Sequence, residues 1–371
     1  MEPKISNLNE TKNLKFTLSN INVSYANAIR RTILTDIPCV AFKTSPYHEN
    51  KVNIIENTTR MNNEVIKQRI SCIPIYINII EQEEVDIDDY IIELNVTNTT
   101  NTIIYATSKD FKIKNLKNQK YLTEAALREI FPPDKITGDY IDIVRLRPSL
   151  IDINMGERIN LTATLTIQKA KDDGAYNVVS TCSYGNTLDN ILIKENWEKK
   201  LAILKDKHTK PEIDFLKRDY DILEKKRYFI NDSFDFTIET ISVYNNFKLV
   251  ELGCSILIKE LYFINKTLQE NYDLIYTSDD TMENSYIIKL LNQDYTLGKI
   301  IEYNLYKKYF NEQKIVTFVG FLKKHPHDDY SIIKIAFKNI ITVDDILVII
   351  NECINDAILQ LNIIKKYFAE K

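Results

Sequence analysis

Two apolar stripes at helical spacing constrain this 371-residue chain more than any other feature. Val250, Cys254, Leu257, Leu261, Ile264 and Leu268 repeat at spacings of 4, 3, 4, 3 and 4, which puts them on one side of a long helix. Ile346, Ile350, Cys353, Ala357, Leu361, Ile364 and Phe368 repeat in the same way near the C-terminus. A seam of this kind suits packing on another helix. Each stripe follows a strand-bearing stretch, so the chain reads as two similar halves whose long helices meet.

The shorter patterns fill in the halves. Residues 13–20 (NLKFTLSN) alternate as a first strand. Ser24 is then expected to cap a helix carrying Ala26, Ile29, Ile33 and Ile37, with Pro38 as its stop. Arg30 and Arg31 are adjacent in that helix and project about 100° apart, so at least one should leave the apolar face. From Val40 to Cys182 short strands are expected at 73–80, 89–98, 102–108 and 158–170. The last alternates Ile159, Leu161, Ala163, Leu165 and Ile167 with polar residues, as a half-buried antiparallel strand does. Residues 197–227 read as a charged helix interrupted by Pro211. Residues 233–243 return to alternation, with Phe234, Phe236, Ile238 and Thr240 on one face. The polar, acidic stretch 269–285 reads as a linker. Beyond it, residues 293–338 join a capped helix, a strand, a His-Pro-His turn and a second strand.

Composition narrows the chemistry. A net charge of −4 argues against a chain whose main task is to coat phosphate backbones. The amino terminus shows no signal peptide, and no uncharged run approaches the roughly 20 apolar residues of a membrane span. The 7 glycines are scattered, so neither a phosphate loop nor a GxGxxG turn is present. Cys39, Cys72, Cys182, Cys254 and Cys353 form no CxxC pair and read as small buried apolar residues. The acidic run 81–89 lacks the glycine and ligand spacing of a calcium loop and reads as solvated. His325, His327, Asp328 and Asp329 form the one dense cluster of metal-ligating types, with Pro326 and Asp328 as turn formers. The residues favour a hairpin turn there. A metallohydrolase built on the cluster is the enzymatic alternative. Asp232 and Asp235 open an alternating strand with no third carboxylate placed to complete a two-metal site. No cofactor is expected.

Two blocks then resemble a known family. SYANAIRRTILTDIPCVAF (24–42) looks like the signature helix of the RNA polymerase alpha-type subunits, the group containing the third-largest subunit of polymerase II and its larger archaeal counterpart. NNEVIKQRISCIPIYI (62–77) is similar to the next family block, with Glu64, Arg69 and Pro74 in matching places. The stretch 293–338 resembles the smaller partner, the eleventh subunit of polymerase II and its archaeal counterpart, through Asp294, Thr296, Leu297, Gly298, Gly320, Phe321, His325 and Pro326. The segment KDDGAYNVVSTCSY (171–184) stands where that family carries Gly-x-Gly…His-Ala-Lys. The dispersed cysteines do not form the iron–sulfur or zinc module often found in the larger partner.

The resemblance implies an α+β chain with an alpha-subunit-like dimerisation fold, two helix-on-sheet halves related by a pseudo-twofold, and a β-rich insert. The larger half would be 1–41 and 183–268, the insert 42–182, the linker 269–285 and the smaller half 286–371. It implies a non-catalytic platform on which the two largest subunits of a DNA-directed RNA polymerase and small platform subunits assemble, with nucleic acid touched only indirectly. The halves would pair within one chain, since a linker of about 17 residues spans up to roughly 55–60 Å and holds them near millimolar effective concentration. Asn27, Arg30, Arg31, Glu64 and Arg69 are the expected contacts to other subunits. Val250, Leu257, Leu261, Ile264, Leu297, Ile350, Leu361 and Ile364 are the expected packing between halves. Fusions of this type point to large cytoplasmic DNA viruses, hence host cytoplasm and virion, or the nucleus for a cellular protein. A stand-alone interaction module with the same fold is the alternative.

Overall fold

The computed structural model describes residues 2–79, 87–149, 156–278 and 282–371. The chain divides into two compact units. The first comprises Met1–Ile33, Thr181–Glu239 and Asn246–Lys371, and the second comprises Leu34–Ser180 with Thr240–Asn245.

Numbered along the chain, the first unit opens with β1 (Lys4–Glu10), β2 (Leu14–Ser19) and α1 (Val23–Thr35). The second unit follows with β3 (Pro38–Ala41), β4 (Val52–Asn57), α2 (Asn63–Ser71), β5 (Tyr90–Thr97), β6 (Ile104–Thr107) and β7 (Phe111–Asn115). It continues through α3 (Glu124–Ile130), β8 (Asp142–Leu146), β9 (Arg158–Thr164) and β10 (Thr166–Lys169). The chain returns to the first unit with β11 (Val179–Leu188), α4 (Asn190–Leu204), α5 (Lys210–Ile222), β12 (Phe229–Thr240) and α6 (Asn246–Glu270). It ends with β13 (Ile275–Thr277), β14 (Ser285–Leu291), α7 (Tyr295–Leu305), β15 (Val316–Leu322), β16 (Tyr330–Phe337) and α8 (Val343–Ala369).

Two four-stranded sheets build the first unit, in the orders β1-β2-β12-β11 and β13-β14-β16-β15. The orders correspond strand for strand. In each, the second strand leads into a short helix (α1 or α7), and the third leads into a long one (α6 or α8). Register and burial agree. Phe234, Phe236 and Ile238 lie opposite Leu18, Phe16 and Leu14, and all six are buried. Tyr286 and Ile288 lie opposite Ile335 and Ile333 in the second sheet, again all buried. Period-two alternation therefore gives each sheet one apolar face for its helices.

The second unit holds a sheet of order β4-β9-β5-β7 and two-stranded pairs β6-β8 and β10-β3. Ile92, Leu94, Ile159, Leu161 and Ala163 bury one face of the larger sheet. Phe42, Phe111 and Phe131 stack beneath it, with centroids 5.0–6.4 Å apart.

Several expectations change on contact with the structure. Asn22, not Ser24, caps α1: its Oδ1 accepts from the Ser24 amide at 2.9 Å, and its carbonyl accepts from Tyr25. Residues 73–79 join no sheet, and the Ile77 amide turns back to the Ile75 carbonyl at 3.0 Å. Pro74 has no N–H to give a ladder, while Ile73 and Ile75 are buried and the Tyr76 amide bonds the Ile130 carbonyl. Ile80 lies outside the described residues. The single strand expected over 158–170 is two, because β9 pairs with β4 and β5 whereas β10 turns to pair with β3. Pro211 opens α5, behind a Thr209–Glu212 capping box, where its missing N–H costs nothing. The stretch 269–285, expected as a linker, carries regular structure: the end of α6, a turn at Tyr272–Leu274, and β13, whose Ile275 pairs with Ile288. Residues 279–281 of that stretch, and 81–86 of the acidic run, lie outside the described residues.

Not every cysteine is buried. Cys72 is exposed as the C-cap of α2, where its amide bonds the Arg69 and Ile70 carbonyls, and Cys39 is partly exposed. By length and composition α8 is long and apolar enough to cross a membrane, although Glu352 and Asp356 interrupt its apolar run. In the structure its seam, from Ile346 to Phe368, is buried in the first unit, as in the core helix of a globular domain.

Candidate assembly interface

The long seams come together. Phe247 at the start of α6 lies 6.2 Å from Phe368 at the end of α8, and Asn265 near the other end donates to Asn351 at 2.8 Å. The two helices therefore run antiparallel along each other. Val250, Leu257, Leu261 and Ile264 on α6, and Ile350, Leu361 and Ile364 on α8, are all at most 4% exposed. Each long helix also reaches the sheet that leads into the other one. Phe368 packs edge-on against Phe16 of β2 at 5.0 Å, while Ile264 and Leu268 line a small cavity with Leu290 and Leu291 of β14. Burying such side chains contributes about 1.5–3 kcal/mol each. Cys254 and Cys353 lie in this seam, and burial pushes both thiols up to about 12.

The short helices meet at a polar junction. Asp294 caps α7, its Oδ1 accepting from the Thr296 amide at 2.7 Å, and its Oδ2 receives Arg31 of α1 at 2.6 Å. The pair is more than a third exposed on both sides, so it orients more than it stabilises. Leu297 is buried on the next turn. Gly298 is where α7 meets β15, because a Cβ there would lie 2.0 Å from the Phe321 ring. The Phe321 amide donates to Glu302 at 3.0 Å, fixing the same contact. Deeper in, Tyr25 of α1 and Asn304 of α7 bond through hydroxyl and carboxamide at 3.1 and 2.7 Å, and Asn304 Nδ2 also donates to the Cys353 carbonyl. Tyr25 is fully buried and Asn304 5% exposed. Burial pushes the Tyr25 phenol up and keeps it protonated.

The expected contacts to other subunits are divided between the two units. Asn27 Oδ1 accepts from Arg30 at 2.8 and 3.2 Å within α1. Asn27 also lines a groove of about 590 Å³ with Tyr184, Tyr295, Tyr303, Tyr306 and Val319. Arg31 is turned toward Asp294 and pairs with it. Glu64 and Arg69 belong to α2 of the second unit. Both are exposed, and Arg69 donates to the Asp142 carbonyl at 2.8 Å.

At the His-Pro-His turn the His325 amide donates to Asp328, and the His327 amide donates to His325 Nδ1 at 3.2 Å. These bonds close the turn and occupy one imidazole nitrogen. Among the described residues no group of three or more His, Cys, Asp or Glu is placed to hold a metal.

Tyr25 and Asn304 were not singled out by sequence reasoning. A signal existed, since Asn304 interrupts the apolar face of Leu297, Ile300, Ile301 and Leu305. Its partner, 279 residues away, had none.

Comparison with known proteins agrees with this architecture. The family described as the RNA polymerase Rpb3/Rpb11 dimerisation domain matches residues 15–261. The chain is 26% identical over 305 residues to a conjugation stage-specific protein of Tetrahymena thermophila, covering 72% of this chain and 94% of that one. It is 24% identical over 283 residues to DNA-directed RNA polymerase subunit Rpo3 of Pyrococcus horikoshii, covering 71% and 97%. It is 28% identical over 187 residues to the mouse RNA polymerases I and III subunit RPAC1, covering 46% of this chain and 50% of that protein. A match over residues 15–261, about two thirds of its length, makes the chain a member of the RNA polymerase Rpb3/Rpb11 dimerisation-domain family.

Proposed function

We propose that the chain is a non-catalytic assembly component of a DNA-directed RNA polymerase built from several subunits, carrying both alpha-like partners in one polypeptide. The relatives named as polymerase subunits support the first part. One observation carries the second: two sheets of identical strand order, each with a short and a long helix, lie in one compact unit with their long helices side by side.

On this reading the paired halves are a rigid platform, and nucleotidyl transfer takes place in the large subunits that dock on it. Asn27 and its tyrosine-lined groove would receive one of those subunits, because aromatic side chains bury much area at little entropic cost. Glu64 and Arg69 would offer an exposed charged face to another. Fusion of the partners would place the chain in the transcription machinery of a large cytoplasmic DNA virus, acting in host cytoplasm and virion.

Affinity purification of the tagged full chain from the cells that produce it tests this. Polypeptides the size of large polymerase subunits should co-purify, and Arg69→Glu should lower their recovery several-fold without changing the chain's melting temperature. Recovery of the chain alone would sink the proposal in favour of a stand-alone module.

A further inference from the structure

Halves of matching topology face a problem of partner choice, because a larger half could pair with a second larger half as readily as with a smaller one. The helix caps put α1 and α7 in register: Asn22 corresponds to Asp294, Tyr25 to Leu297, Arg31 to Tyr303 and Thr32 to Asn304. Burial follows the same register, with Tyr25, Leu297, Thr32 and Asn304 all at most 5% exposed. The contact between Tyr25 and Asn304 thus has Leu297 and Thr32 as its pseudo-symmetric counterpart. The ion pair of Arg31 and Asp294 has Tyr303 and Asn22.

We propose that Tyr25 with Asn304, aided by Arg31 with Asp294, makes a larger half select a smaller half over a second copy of its own kind. The inference rests on the two-halves reading above. In a pairing of two smaller halves each Asn304 would face Leu297. Its Nδ2 would keep the Cys353 carbonyl, but its Oδ1 would be buried without a donor. In a pairing of two larger halves each Tyr25 would face Thr32, whose side chain ends short of the carboxamide's position. Each Arg31 would face Asn22, a neutral group in place of a carboxylate. Each wrong pairing lacks both interactions. The exposed ion pair sets register, whereas the buried hydroxyl–carboxamide pair supplies the discrimination. A single buried Asn fixes partner choice in coiled coils by the same logic.

The test uses the full chain with a protease site inserted between Ser278 and Met282. The folded chain is cut, unfolded in urea and refolded by dilution, and the pairs are counted by native mass spectrometry. The cut wild type should return larger–smaller pairs almost exclusively, with a small measurable background of same-kind pairs. Tyr25→Phe with Asn304→Leu keeps the apolar shape and removes both polar partners. It should raise same-kind pairs at least ten-fold. Thr32→Asn supplies the carboxamide that a pair of larger halves lacks, so it should by itself produce pairs of larger halves. Only larger–smaller pairs from both variants would overturn the selection mechanism and leave the two-halves reading standing. Wild-type pieces that both refold, as judged by circular dichroism, yet do not re-pair would overturn both.

Discussion

Gly298 shows how a single residue joins two elements. Glycine within a helix costs about 1 kcal/mol relative to alanine, so local propensity argues against it. The Phe321 ring occupies the space where a Cβ would stand, and Tyr295 packs edge-on against that ring at 5.0 Å. Gly298→Ala should therefore destabilise the chain by about 1–3 kcal/mol through overpacking, read as a lower urea midpoint at unchanged slope. Pairing it with Phe321→Leu should recover part of the loss. A Gly298→Ala chain as stable as the wild type would mean that α7 does not approach β15 this closely. The sequence marked Gly298 through the Thr-Leu-Gly block, but its reason became visible only with Phe321 in place.

At the scale of elements, the seams of α6 and α8 were legible because a helical repeat is a local property. Their spacing named the buried faces, and Leu257 at 2% exposure lies in the middle of one. Leu257→Glu would put an unpaired charge into that seam and should cost more than about 4 kcal/mol. Tyr262→Glu, on the outer face of the same helix at 56% exposure, should change stability by less than about 0.5 kcal/mol. Thermal melting of the two variants compares them directly, and equal melting temperatures would show that the seam is misplaced. Strands were less legible. The alternation of residues 158–170 runs through Leu165 without a break, yet the two parts pair in different sheets. Residues 73–79 bury Ile73 and Ile75 on alternate positions as a strand would, yet have no ladder partner, which no local pattern could reveal.

Over the whole molecule, burial sets a pH limit. Cys182, Cys254 and Cys353 have thiols pushed up to about 12 from an ordinary value near 9, with desolvation as the leading cause. Since the folded state holds these protons more tightly than the unfolded state, their contribution is complete below about pH 9. It is lost as pH rises toward 12. Each thiol adds at most about 1.4 kcal/mol per pH unit to that loss. Urea midpoints should be level with respect to these groups at pH 7–8 and fall from pH 9 to 11. Cys254→Ala should flatten the fall. An unchanged slope in that variant would show that the Cys254 thiol ionises as easily folded as unfolded.

The sequence alone determined the periodic parts of this protein: two seamed helices, a set of alternating strands, and the blocks that resemble polymerase alpha-type subunits. Those signals are local, since a helix repeats every three or four residues and a strand every two. Only the tertiary structure decided which strand lies beside which, that Arg31 turns to Asp294, and that Tyr25 finds Asn304. Those outcomes depend on distant side chains filling one another's space and satisfying one another's buried polar groups, and no short stretch of sequence records them.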